Sequence, residues 1–138
     1  MSPSGTRSQV TPAVSEAVRQ AIASYCHALD DGRTDDIVSL FTPGGRAAIP
    51  GRGVTEGHAA LLDLYRGLTP TTAQRHLVMN TVVTEDEDGS ARAISDVVLL
   101  LKRDSAWVVS LVGKYDDRLV PGKGDQWLFE ERSLTFTT

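Results

Sequence analysis

The feature that most restricts this chain is a change of period near its middle. From Gln74 to Phe136 it is built of four long apolar, β-branched runs, Gln74 to Thr84, Ala91 to Lys102, Trp107 to Leu119 and Trp127 to Phe136. The acidic segment Glu85-Asp86-Glu87-Asp88-Gly89, then Arg103-Asp104-Ser105, then Pro121-Gly122-Lys123-Gly124 separate them. Runs of this kind between short polar breaks predict strands joined by tight turns. Before Gln74 the apolar residues recur at three- and four-residue steps instead, as they do along one face of a helix.

Val14, Val18, Ala21, Ile22, Tyr25, Ala28 and Leu29 form such a face, which Asp31-Gly32 ends. Thr34 is placed to cap a short second helix with Ile37, Leu40 and Phe41 inward, closed by Pro43-Gly44-Gly45. Ala47 to Ile49 reads as a short strand, followed by the turn Pro50-Gly51-Arg52-Gly53. Thr55 is placed to cap a third helix with Ala59, Leu62, Leu64 and Tyr65 inward, ending at Gly67 and Pro70. Three helices followed by four antiparallel strands predict an α+β domain with helices on one face of a curved sheet.

The 138 residues suit one domain with one core. Residues 13–138 are expected to form it, and Met1 to Pro12, rich in Ser, Thr, Pro and Gly and without a signal-peptide apolar run, to be a disordered leader. A net charge of −4 argues against a nucleic-acid or anionic-membrane partner. No window approaches the roughly 18 apolar residues of a membrane span. The single cysteine, Cys26, forms no internal disulfide, which makes the cytoplasm the expected compartment. Three histidines without ligand spacing and no carboxylate cluster give no reason to expect a metal. No cofactor motif is present, since Gly51-x-Gly53-x3-Gly57 lacks the strand-helix setting and lysine of a phosphate loop.

Alternation along Arg75-His76-Leu77-Val78-Met79-Asn80 places His76, Val78, Asn80 and Val82 on one face. A histidine and an amide on an apolar wall need either a buried partner or a cavity to face. On the next strand Ser95 and Asp96 interrupt an apolar run and face opposite sides. His27 and His58 fall on the polar sides of their helices.

Tyr25-x4-Asp30-x-Gly32, Leu40-Phe41-Thr42-Pro43, Gly57, Arg75-His76-x3-Asn80, Gly113-x-Tyr115-x-Asp117 and Trp127-x4-Arg132 occur in an order that resembles the SnoaL-like branch of the nuclear transport factor 2-like superfamily. The resemblance spans Val14 to Arg132. It implies a cone-shaped α+β barrel, three N-terminal helices packed on a curved, mainly antiparallel sheet that encloses an apolar pocket. It also implies a cofactor-independent enzyme for dehydration, cyclisation or isomerisation of a hydrophobic, oxygenated small molecule. By resemblance to scytalone dehydratase, Asp30 and His76 match a catalytic dyad. A carboxylate bonded to one ring nitrogen fixes the tautomer and leaves the other nitrogen free to move a proton. By resemblance to ketosteroid isomerases, Tyr25 matches the phenol that donates to a substrate oxygen. Their basic aspartate is replaced by Ile49, before Pro50. Tyr115, Asn80 and Ser95 match further pocket positions, Ser95 standing where the dehydratase has a second histidine. The resemblance also leaves open a non-catalytic ligand-binding or assembly role like that of dioxygenase small subunits. A homodimer or homotrimer through an outer sheet face carrying Trp107, Trp127 and Phe129 is expected.

Overall fold

The computed structural model describes residues 10–138. Helix α1 spans Pro12–Asp30, where Thr11 accepts the Val14 N–H and Pro12 occupies the first turn, which needs no donor. The expected leader therefore falls outside the described residues except at its end, where Thr11 and Pro12 begin this helix. The buried side of α1 is Val18, Ala21, Ile22, Tyr25, Cys26, Ala28 and Leu29. Gly32, at φ +70°, supplies the left-handed turn that ends it. Helix α2 is Thr34–Val38, and α3 is His58–Arg66 with Leu61 and Tyr65 buried.

Six strands complete the fold, β1 Phe41–Ile49, β2 Gly53–Glu56, β3 Gln74–Glu85, β4 Ala91–Arg103, β5 Ala106–Pro121 and β6 Trp127–Phe136. Their order is β2-β1-β6-β5-β4-β3. Neighbours are antiparallel except β1 with β6, which run parallel, so the sheet is mixed. Helix α2 stops at Val38, and Phe41 belongs to a strand that continues through Pro43-Gly44-Gly45. Thr55 lies in β2 and caps nothing, since Gly57 precedes α3.

The expected barrel is corrected to an open sheet, because β2 and β3 are separate edges that do not pair. Two causes are visible. Strand β2 is four residues long and satisfied by β1 alone. The free side of β3 is taken by α1: Asp30 Oδ2 accepts the His76 backbone N–H at 2.8 Å, and Arg19 donates to the Thr81 carbonyl at 2.7 Å. Each group bonded in this way is one rung fewer on which a closing strand can add.

Phase breaks in two strands decide what faces the core. In β3 the register shifts between Met79 and Val82, with Asn80 at φ 56°, so one extra residue is bulged out. Asn80 therefore leaves the face of His76 and is exposed, its amide donating to Asp96. In β6 the register shifts between the Leu119–Phe129 and Arg118–Glu131 pairs. Glu130 is the extra residue, and the break turns Arg132 to the same buried side as Phe129. Trp127 and Phe129 are buried, so of the three outer-face aromatics expected from sequence Trp107 alone is exposed.

Between β5 and β6 there is no room for a side chain at Gly113, where an added Cβ would lie 2.5 Å from the Thr135 carbonyl oxygen. Gly113→Ala is expected to cost about 1–3 kcal/mol by forcing two paired backbones apart. A denaturant titration checks this; an unchanged midpoint refutes it.

Candidate active site

Helices and sheet leave a cavity of about 270 Å³ between them. Tyr25 and Leu29 reach it from α1, Tyr65 from α3, Ala47 to Pro50 from β1 and its turn, and Gln74 and His76 from β3. Leu99, Leu111, Tyr115, Arg132, Leu134 and Phe136 complete the sheet wall. A mainly apolar hollow with a few convergent polar groups is the usual build of a small-molecule site.

Asp30 closes α1, one turn beyond Tyr25, and its carboxylate reaches β3. Oδ1 lies 2.6 Å from His76 Nδ1 and also accepts from Gln74 Nε2 at 3.0 Å. Oδ2 takes the His76 backbone N–H. Both side chains are nearly enclosed, 6% exposed for Asp30 and 9% for His76. Burial by itself raises the Asp30 carboxyl, but the hydrogen bonds from the His76 ring and backbone, the ring's charge and Gln74 outweigh it and hold the group below its ordinary value. An ionised carboxylate only accepts, so Nδ1 carries the hydrogen of this bond and Nε2 is the nitrogen left for a ligand.

Tyr25 and Tyr65 share a hydrogen bond of 2.8 Å between their hydroxyls. Burial, then the neighbouring phenol, pushes Tyr25 well above its ordinary value, and burial likewise raises Tyr115. Both remain neutral donors at any ordinary pH. Ile49 lines the cavity, so no carboxylate stands at that wall.

Asn80 and Ser95 do not line this cavity. Asn80 is outside on the bulge, and Ser95 is buried with its hydroxyl 2.9 Å from that of Thr81. His27 is exposed, whereas the His58 ring lies 2.9 Å from the Phe41 carbonyl oxygen. Among the described residues no group of three or more His, Cys, Asp or Glu gathers to hold a metal. No helix among them is long and apolar enough to cross a membrane.

Sequence reasoning gave no site role to Gln74, Tyr65, Asp117 or Arg132. Arg132 is 2% exposed, with Asp117, fully buried, as its register partner on β5. Its parallel neighbour on β1 is the small Ala47, and Ala93 flanks Asp117 on β4. Small residues on both sides give the charged pair its room. The guanidinium carbon sits 3.5 Å from the Tyr115 ring centre, 4.2 Å from that of Tyr25 and 4.8 Å from that of Phe129. Such stacking suits a delocalised planar cation. Arg132 Nε comes within 3.3 Å of Asp117 Oδ1, yet none of these charged atoms has a hydrogen-bond partner. Burial pushes the Asp117 carboxyl up, to about 7, although Arg132 draws it down.

No curated protein matches the chain. Aln2 from a Streptomyces species has the same fold, with a TM-score of 0.85 and 20% identity over 93% of this chain and 94% of its own. A protein described as a putative scytalone dehydratase from Novosphingobium aromaticivorans aligns with a TM-score of 0.78 and 20% identity, over 90% of this chain and 84% of its own. A Catenulispora acidiphila protein in complex with S-DNPA aligns at 0.82 with 26% identity, over 91% of this chain and 95% of its own. The SnoaL-like domain family matches residues 13–133. The chain belongs to the SnoaL-like domain family.

Proposed function

We propose that residues 13–138 act as one domain, a small acid-base enzyme that moves a proton on a hydrophobic, oxygenated molecule in a dehydration, cyclisation or isomerisation. The observation that carries this reading is the 2.6 Å contact of Asp30 with His76 Nδ1, at a ring that lines an apolar cavity. In the proposed mechanism Nε2 takes a proton from carbon beside a carbonyl, and the resulting imidazolium is stabilised by Asp30 and returns the proton at a second position or to a departing hydroxyl. Tyr25, in relay with Tyr65, and Tyr115 donate to the carbonyl oxygen as charge develops there. Gln74 and the His76 backbone hold Asp30 in place. The likeness to a putative scytalone dehydratase supports the reaction class.

A panel of enolisable aromatic ketones in deuterium oxide tests this. The protein is expected to wash deuterium into the carbon beside the carbonyl of those that fit, and His76→Ala to abolish it. Exchange at equal rates in the two proteins ends the proposal.

The exposed face of β3, β4 and β5 carries Leu77, Met79, Trp107, Val109 and Val112, a patch more apolar than a lone surface needs. A second copy is proposed to cover it, as a dimer or trimer. Analytical ultracentrifugation is expected to show a species of two or three chains, and Val109→Glu to reduce it to one. A monomer at every concentration refutes it.

A further inference from the structure

We propose that the cavity binds its ligand through an anionic oxygen, and that Arg132 supplies the positive charge that favours it. This rests on the cavity being a ligand site and deepens that reading by naming the ligand class: an apolar, aromatic-sized molecule with a carboxylate, or with an enol or phenol that ionises on binding.

Arg132 is buried, lines the cavity, and has no hydrogen-bond partner on any of its three side-chain nitrogens. A pair kept for stability alone relieves that state by closing to two parallel N–H···O bonds. Here the pair stays open. Asp117 does not line the cavity, whereas Arg132 does, so of the pair Arg132 lies nearer the ligand space. The groups that face the guanidinium are Tyr25 and Cys26 on α1, Tyr65 on α3, and Tyr115 and Asp117 on β5. Burial raises the phenols and pushes the Cys26 thiol up to about 11, so Asp117 is the one group of this set that ionises near neutrality. The other carboxylate nearby, Asp30, is held behind the His76 ring.

The guanidinium nitrogens are sealed from water. Arg132 therefore acts by its field across the Tyr25 and Tyr115 rings, which make the contact. It is a positioning residue for charge, and a low-dielectric wall makes such a field felt further than water would allow.

The test uses 2-naphthoate, its neutral amide 2-naphthamide, and 2-naphthol, titrated into the full chain across pH and followed by difference absorbance. An opposite charge nearby lowers an acid's pKa by about 1–3 units, so bound 2-naphthol is expected to ionise at least about 1 unit below its value in buffer, releasing its proton to solvent. The same charge is expected to make 2-naphthoate bind about 10-fold or more tighter than the amide. Ionised naphthol assigns an enol or phenol ligand; naphthoate preference with naphthol left neutral assigns a carboxylate. Both effects are expected to vanish in D117N/R132M, which removes both charges at similar volume. Deuterium exchange into ketones reads the dyad and not these two effects, which separates this inference from it. Arg52 also lines the cavity, so R52Q is the second comparison where the double variant fails to fold: it is expected to keep both effects, and their loss there overturns the assignment to Arg132. Amide and naphthoate binding alike with naphthol unshifted, or no binding of any of the three, overturns the proposal, as does an effect retained in D117N/R132M.

Discussion

Arg132→Ala is expected to lower the folding free energy by about 3–5 kcal/mol, the usual loss when one partner of a buried ion pair is removed. Two effects add. Asp117 is left in the core without its counter-charge, and three aromatic rings lose the flat group stacked between them. The denaturant midpoint is expected to fall with little change of slope. Replacing both partners, as in D117N/R132M, is expected to recover most of the loss, since an uncharged pair of similar volume strands no charge. A double variant as unstable as the single would show that shape and not charge is at stake.

The sign of the pH dependence follows from the same pair. The Asp117 carboxyl titrates at about 7 in the folded chain and at about 3.9 when unfolded, so between those values the folded state holds the extra proton. Stability from this group is fully present below about pH 4 and is lost as pH rises towards 7. Without Arg132 the carboxyl rises further, so the deficit of Arg132→Ala is expected to be larger at pH 8 than at pH 5. Asp30 works in the opposite direction, because its folded value is lowered. Its contribution is present above about pH 3.9 and is lost as pH falls through the folded value.

Asp30→Asn is expected to cut turnover by about 10²–10⁴-fold, the range ordinarily supplied by a positioned acid-base group. An amide that turns its NH₂ towards Nδ1 makes that nitrogen the acceptor, and the ring hydrogen moves to Nε2. The nitrogen facing the ligand then donates where it must accept. His76→Ala is expected to lose about as much, and the double variant little more than either single, because the two act as one unit. Steady-state rates on a ketone identified by deuterium exchange read this directly. Turnover of Asp30→Asn within a few-fold of the parent would falsify the dyad.

Legibility from sequence is uneven, for reasons that are local and physical. The last strand reads with its observed ends, Trp127 and Phe136, because its turns carry Gly and Pro and its apolar run is long. Strand β1 escapes notice over Phe41 to Arg46, since Pro43-Gly44-Gly45 reads as a break. Its partner β6 runs parallel from more than 80 residues away, so no hairpin signal marks it. The neighbourhood of Asp30 and His76 follows from family likeness; spacing alone leaves the histidine undecided between core and cavity. Arg132 is hidden inside Glu130-Glu131-Arg132, which looks like a solvated stretch until the bulge at Glu130 reverses the alternation. Asn80 is displaced by the same kind of break in β3. A single extra residue in a strand leaves no mark on composition, and it moves every later side chain to the opposite face.

The carboxylate of Asp30 has a second consequence through the open edge of β3. A bare outer strand is a template on which a stray chain can add and start an aggregate. By accepting the His76 amide, Asp30 blocks one rung of that ladder, as Arg19 blocks another at Thr81. One side chain thus serves both as partner of the proposed base and as guard against self-adhesion, and Asp30→Ala, which removes both oxygens, gives up both roles where Asp30→Asn gives up only the first.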